Sequence, residues 1–470
     1  MQLIKNYLYN VCYQIFILLI PLVTMPYISR VLGTKGSGIA SFTASNAQYF
    51  VLLAALGISV YGNREVAYHR NDPQQLSQIF WEIFSLRMLT TIVSLSCFYI
   101  FCAWNRAYLG PYLAQSLLIV ATALDVSWFF MGLEKFKVTV LRNFLIKLLS
   151  LVLIFLFVKK ETDVVIYILI TTVSQLIGNL SLFTYLKPYI HKPQLPVKLQ
   201  RHFQQAILFF IPQIAVSLYT SLNKTILGIL VSVSAAGIFD YADRIVRLAL
   251  AVVTAAGTVM LPRMAASFAK GKMDQIKRYL YLTFQAVTAL SSPMMFGLAA
   301  IAVKFAPFFL GKSFGEVGIL IMAEAIVIVF IAWENILGNQ YLIPIGRTWT
   351  YTKAILTGAV ISLLVCWPLI TVYGALGAVF ASILAELSVL LYELWSIHKA
   401  IQLKLLFKEC WKFWLASLAM FLVVFPLNLI WPFNLAILFG EVLIGILIYG
   451  GVLFWCKPSI VQAILQQIKS

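Results

Sequence analysis

Charged side chains set inside apolar runs are the groups in this chain that could do chemistry. The stretch 235–263, AAGIFDYADRIVRLALAVVTAAGTVMLPR, is long and apolar enough to cross a bilayer, yet it carries Asp240, Asp243, Arg244 and Arg247 in its first half. A charge near the bilayer centre costs about 2.5–3.5 kcal/mol on insertion scales, so such residues face a bundle interior or a watery cavity and mark a pathway. The spacings Asp240/Arg244 and Asp243/Arg247 are i, i+4 with the acid first, the favourable order for a helical ion pair. Two readings stay open: self-neutralising pairs that let a helix tolerate water, or groups that bind a ligand. Either one places an aqueous cavity beside this helix.

More cations lie within apolar runs: Arg87, Arg142, Lys147 and Lys224, with Arg30 at the end of the first run. Acids share those runs, among them Glu82, Asp125, Glu324, Glu334, Glu386, Glu393 and Glu441. Asp125 reads either as a coupling or gating group or as a structural partner of Arg142 or Lys147. The six cysteines show no CxxC and no Cys/His spacing for a metal site. His69, His191, His202 and His398 fall at loops or helix ends, where they are expected to be solvated, and no catalytic pairing is visible.

Composition dictates what positions these groups. The chain has 470 residues, 61% hydrophobic and only 11% charged, whereas soluble domains carry about 25% charged residues. The expected class is an all-α polytopic membrane protein, because apolar runs of about 20 residues, the spanning length of a helix, recur along the chain. No alternating pattern of an outer-membrane barrel is present. A net charge of +18 does not indicate nucleic acid, since the positives sit in short loops between spans. MQLIKNYLYN leads into a run holding Pro21 and Pro26 without a small-residue cleavage site, so the first span is expected to stay.

The runs predict fourteen spans, near 7–30, 38–62, 76–102, 111–132, 138–158, 163–186, 204–229, 235–262, 275–303, 317–343, 350–373, 375–397, 409–430 and 434–456. Lys and Arg concentrate at the N-terminus, in the even-numbered loops and at the C-terminus, so both termini are expected in the cytoplasm. The stretch 187–202, KPYIHKPQLPVKLQRH, reads as a cytoplasmic linker between an N-terminal lobe (1–186, spans 1–6) and a C-terminal lobe (203–398, spans 7–12). Residues 399–470 hold spans 13 and 14 and the tail. RVLGTKGSGIA after the first span is echoed by NKTILGILVSVSAAGIF after the seventh, and Gly38 to Arg64 is the same distance as Gly237 to Arg263. This predicts two pseudo-symmetric six-helix lobes around a central cavity, with Arg30 and Lys224 as counterparts. Pro21, Pro26, Pro212 and Pro293 are the expected kink points.

The chain carries MPYISRVLGTKGSGIASF, GISVYGNREVA, LDVSWFFMGLEKFK followed by RNFLIKLL, SLNKTILG, VMLPRMA and ENILGNQYLIPIGR in this order. As a set these resemble the Wzx-type flippases. That group is the polysaccharide-exporting branch of the superfamily that also holds the multidrug (MATE) exporters and the lipid II flippases. Asn223 stands where relatives often have an acid, and Met131 where they often have Gln. The resemblance implies a flippase that moves undecaprenyl-diphosphate-linked oligosaccharide repeat units to the outer leaflet of a bacterial cytoplasmic membrane for capsule, exopolysaccharide or O-antigen assembly. It implies neither enzymatic activity nor a cofactor, and the polysaccharide polymerase of the same pathway is a candidate partner. In that setting Arg30, Arg87, Arg142, Lys147, Lys224, Arg244 and Arg247 are the candidate donors to an anionic diphosphate, Arg bidentately. Trp128, Asn143, Tyr241, Asn339 and Gln340 are candidate sugar contacts. Asp125, Asp240, Asp243 and Glu334 are candidates for coupling or gating, with H⁺ or Na⁺ as the exchanged ion. Spans 13 and 14, which lack internal cations, are expected to form a lipid-facing groove or scaffold.

Three rivals are weighed against this. A MATE-like drug exporter usually has twelve spans and an anionic cavity, whereas the embedded cations here suit an anionic cargo. A lipid II flippase shares the span count but fits the quoted motifs less well. A membrane-bound polymerase needs a sizeable catalytic loop, and the odd-numbered loops are short.

Overall fold

Gly33 ends the first crossing of the chain. The computed structural model describes residues 2–191, 198–257 and 260–459. In it helix α1 (Gln2–Ala55) runs on through Pro21 and Pro26 and leaves helical geometry at Gly33, whose φ of 63° suits a residue without a Cβ. The break between the first two spans therefore falls at the glycine and not at either proline. The side chain of Pro212, the middle of the linker (192–197) and the tail (460–470) lie outside the described residues.

The chain divides into two compact units, Met1–Gly237 and Ile238–Ser470. The first holds α1, α2 (Ile58–His69), α3 (Pro73–Trp104), α4 (Leu109–Ala123), α5 (Ser127–Gly132), α6 (Phe136–Phe157), α7 (Val164–Ser181) and α8 (Leu199–Leu230), then the start of α9 (Val233–Gly257). Asp72 caps α3, its Oδ1 accepting the N–H groups of Gln74 and Gln75 at 3.1 Å, with Pro73 in the first turn where no donor is needed. The core of this unit is aromatic: Phe80 stacks on Trp128 at 5.9 Å and meets Phe129 edge-on at 5.4 Å. Gly38 and Gly237, the counterparts in the internal repeat, lie backbone to backbone. A Cβ on Gly237 would fall 2.7 Å from the Gly38 Cα, and one on Gly38 would overlap the Val233 carbonyl.

The second unit holds the rest of α9, α10 (Met260–Ala269), α11 (Met273–Leu310), α12 (Gly315–Glu324) and α13 (Val327–Glu334). A π-helical segment, Asn335–Leu342, follows α13. Then come α14 (Thr348–Tyr373), α15 (Ala375–Ile397), α16 (Leu403–Leu406), α17 (Cys410–Ile430) and α18 (Leu435–Cys456). Helix α14 packs along α15, α11 packs on α12 and α17, and α17 packs on α18.

Among the described residues there is no strand, and ten helices are long and apolar enough to cross a membrane, or up to twelve if each bent pair is one span. Fourteen crossings are compatible with this. The segment Leu19–His69 contains the break at Gly33, and α9 stands apart from the apolar set because of Asp240, Asp243, Arg244 and Arg247.

Candidate functional site

The charged helix α9 forms the two ion pairs that its spacing predicts. Arg244 Nε lies 2.9 Å from Asp240 Oδ2, and Arg247 Nε lies 2.6 Å from Asp243 Oδ1. Both acids are buried while the arginine side chains are 52% and 39% exposed, so the carboxylates anchor the guanidinium groups at the edge of the packed interior. Tyr241, between the pairs, is buried edge-on against Phe314 at 5.1 Å.

Behind Arg247 lies a run of buried acids. Glu386 on α15 lies within electrostatic reach of Arg247 and Asp243 and beside Glu334 at the end of α13. Glu393, two turns further along α15, is fully buried and within electrostatic reach of Glu386. Its carboxyl rests on the backbone of the π-helical segment: a Cβ at Gly338 would come within 2.6 Å of Glu393 Oε1 and 2.5 Å of the Tyr351 ring. Tyr351 is hydrogen-bonded to Asn339, and Gln340 Nε2 donates to Asn335 Oδ1 at 3.1 Å. A π-bulge of this kind places successive polar side chains off the regular helical face and recurs at functional sites.

In the first unit Arg142 lines a groove of about 570 Å³ between α6 and the end of α7, together with Lys137, Ser181, Thr184 and Tyr185. Its Nη1 donates to Asn179 Oδ1 at 2.6 Å, and Asn179 Nδ2 donates in turn to the Ala121 carbonyl at 2.6 Å. Gly178 makes room for this arrangement, since a Cβ there would come within 3.3 Å of Arg142 Cδ. The groove joins two cations and three hydroxyl groups to the apolar walls of Val138, Leu141, Leu145 and Ile146. Such a site can hold a phosphate oxygen through charge-assisted hydrogen bonds while hydrocarbon lies along its wall. On the same helix Asn143 is half-buried and Lys147 exposed.

The remaining candidates of this unit are spread out. Arg30 is exposed beside the Gly33 break and Lys224 is half-buried on α8. Arg87 is buried in α3, with Asp125 as the carboxylate acting on it. Asp125 Oδ1 also accepts the Ser127 N–H at 3.0 Å. The sequence offered Arg142 or Lys147 as the partner of Asp125; the structure adds Arg87 as a cation on which Asp125 acts, and Arg142 donates to Asn179. Trp128 is enclosed in the aromatic core.

A second groove, of about 470 Å³, belongs to the second unit and runs between α11, α17 and α18. Pro293, Met294, Gly297, Met420, Gly445 and Tyr449 line it, so its surface is almost wholly apolar. Glu441 reaches its wall and accepts a hydrogen bond from Asn428 at 2.9 Å.

Sequence reasoning missed several of these groups. Lys137, Asn179 and the three hydroxyls enter the α6–α7 groove by tertiary packing and share no local motif. His202, expected to be solvated, is buried: its Nδ1 lies 2.6 Å from the Tyr61 hydroxyl and its Nε2 2.7 Å from Glu82 Oε2. The available signal was Glu82 itself, an acid inside an apolar run that needs a partner.

Residues 3–268 match the family described as polysaccharide biosynthesis protein. A protein of Shigella dysenteriae assigned as an O-antigen transporter is 22% identical over 381 residues, 80% of this chain and 95% of that protein. One of Escherichia coli K12 with the same assignment is 23% identical over 398 residues, 82% of this chain and 94% of that protein. The solved lipid II flippase MurJ, in an inward closed conformation, shares the fold with a TM-score of 0.75 at 17% identity, over 97% of this chain and 99% of that one. With more than half its length matched, this multi-pass helical membrane protein belongs to the polysaccharide biosynthesis protein family.

Proposed function

We propose that this chain is a flippase that carries undecaprenyl-diphosphate-linked oligosaccharide repeat units from the inner to the outer leaflet of a bacterial cytoplasmic membrane, and that it is not an enzyme. The observation that carries the reading is the α6–α7 groove, where Arg142 and Lys137 stand beside three hydroxyl groups on an apolar wall. A lipid diphosphate needs that combination: cations for the phosphates, hydroxyls for the sugar and its linkage, and hydrocarbon contact for the tail. The apolar groove along α17 and α18 suits a polyprenyl chain in the same way. The O-antigen assignment of the two relatives supports a cargo of this class.

Arg30, Arg87, Lys147, Lys224, Arg244 and Arg247 serve the same headgroup as it crosses, and both termini lie in the cytoplasm. An inside-negative potential assists outward movement of an anionic headgroup by about 2.3 kcal/mol per charge per 100 mV.

Expression in cells that lack their own repeat-unit transporter tests the reading. Surface display of polymer is expected to return in a host whose repeat unit this protein accepts. Inserted protein that restores display in no host, while exporting cationic dyes, would replace it with the drug-exporter alternative.

A further inference from the structure

The groove between α11, α17 and α18 carries polar groups toward both ends, and only one end is satisfied. Its wall follows α11 from Ala289 to Ile301, about 18 Å of helix at 1.5 Å per residue. At the Ala289 end the Tyr449 hydroxyl donates to the Ala289 carbonyl at 2.6 Å. Toward the other end, two turns of α18 away from Tyr449, stands Glu441, and Asn428 lies one turn of α17 beyond the wall residue Val424. Both side chains are 1% exposed, and Asn428 Nδ2 donates to Glu441 Oε2 at 2.9 Å. Glu441 Oε1 and Asn428 Oδ1 are enclosed there without a donor from the protein. A buried carboxylate oxygen beside an amide oxygen favours a ligand that brings both N–H groups and positive charge.

The opposite charge stands at the same end. Lys304, half-buried and one turn of α11 beyond Ile301, donates from Nζ to the carbonyls of Leu429 and Trp431 at 2.8 Å each. A lysine ammonium has three donors, so one is left over. Leu429 is the chain neighbour of Asn428, which brings the cation and the acceptor pair to the last turn of α17.

We propose that this groove is a binding site for a phospholipid with a primary ammonium headgroup. One acyl chain lies along the apolar walls, the ammonium donates to Glu441 Oε1 and Asn428 Oδ1, and the phosphate meets Lys304. The ligand is zwitterionic and so is the end of the groove. The turn 431–434 holds no Lys or Arg, whereas 399–412 at the opposite end of α17 holds Lys399, Lys404, Lys408 and Lys412, so the positive-inside rule assigns the site to the outer leaflet.

The headgroup end is what gives the site its selectivity. The walls accept any hydrocarbon chain, a polyprenyl chain included, because their contacts are apolar. A diphosphate brings neither N–H groups nor positive charge and would meet the Glu441 carboxylate. A quaternary ammonium carries the charge but has no N–H to give the two oxygens. The primary ammonium alone of these three supplies both. The inference goes beyond the flippase reading and does not depend on it, since it uses residues of the second unit only.

Native mass spectrometry of the full-length protein tests this, with phosphatidylethanolamine, phosphatidylcholine and phosphatidylglycerol of the same acyl chains titrated separately and the first bound lipid counted. Wild type should bind phosphatidylethanolamine roughly 10–100-fold more tightly than phosphatidylcholine, the factor of a hydrogen bond to a charged group. In E441Q, which keeps the size of the side chain and loses its charge, that preference should disappear. K304M should weaken both zwitterionic lipids alike. I446W fills the groove from a position that is 61% exposed, so it leaves the packed interior intact and should abolish the preference. Equal affinity of wild type for phosphatidylethanolamine and phosphatidylcholine would overturn the site. So would a preference that E441Q retains, which would mean that water satisfies the two oxygens, or tighter binding of the anionic phosphatidylglycerol. Should E441Q fail to insert, I446W decides: a preference that survives in it overturns the proposal. Failure of the flippase reading would leave each of these results unchanged.

Discussion

Arg142 does at the residue scale what an intramembrane cation must do to bind a ligand: its guanidinium is held in place by the Asn179 amide at the wall of a groove. A hydrogen bond to a charged group contributes about 1.5–3 kcal/mol, or roughly 10–100-fold in an equilibrium constant. Truncation of Arg142 to Ala is therefore expected to weaken binding of the diphosphate headgroup by at least that factor. N179L, which leaves the charge but frees its orientation, should lose less, about tenfold. Equilibrium binding of a fluorescent polyprenyl diphosphate to the two variants measures the difference; equal affinity in wild type and R142A would remove Arg142 from the site. The α9 ion pairs were legible in the sequence because both partners lie on one helical face four residues apart. Asn179 was not, because it reaches Arg142 from another helix, and no spacing along the chain encodes that contact.

At the scale of elements, a polar network fastens α8 to its neighbours. His202 in the first turn of α8 bridges Tyr61 on α2 and Glu82 on α3, while Glu82 Oε1 accepts Gln78 Nε2 at 2.9 Å and the Lys198 N–H at 3.1 Å. Replacing His202 by Ala leaves the Glu82 carboxylate and the Tyr61 hydroxyl short of a partner in a buried place, at about 1–3 kcal/mol for each unsatisfied group. The H202A protein in detergent should unfold at a lower temperature than wild type, with H202Q, which keeps a donor, between the two. A thermal midpoint unchanged in H202A would show that water replaces the imidazole without loss. The elements themselves were largely legible, since apolar runs of spanning length locate helices whatever their partners. The break in α1 was legible as well, since the predicted spans 7–30 and 38–62 leave Gly33 between them; the kinks expected at the prolines are what the helix does not show. In this helix Pro21 and Pro26 are accommodated, and Gly33 adopts the positive φ that ends the crossing.

For the whole molecule, composition and the distribution of positive charge specify the class, and the ordered motifs specify the family. The acid cluster of the second unit was visible only as scattered residues. Glu334 and Glu386 are far apart in sequence, and only the packing of α13 on α15 makes them neighbours. The flippase reading makes cargo movement depend on the basic groove and on the charge carried across the bilayer. Its most direct test is translocation in proteoliposomes loaded with a fluorescent undecaprenyl-diphosphate oligosaccharide, scored by access of an external glycosidase to the sugar, with and without an imposed potential. Protein-dependent exposure of the sugar, faster under a potential that draws anions outward and lost in R142A, is the predicted result. Exposure at the same rate in empty liposomes, or in R142A, would contradict the account.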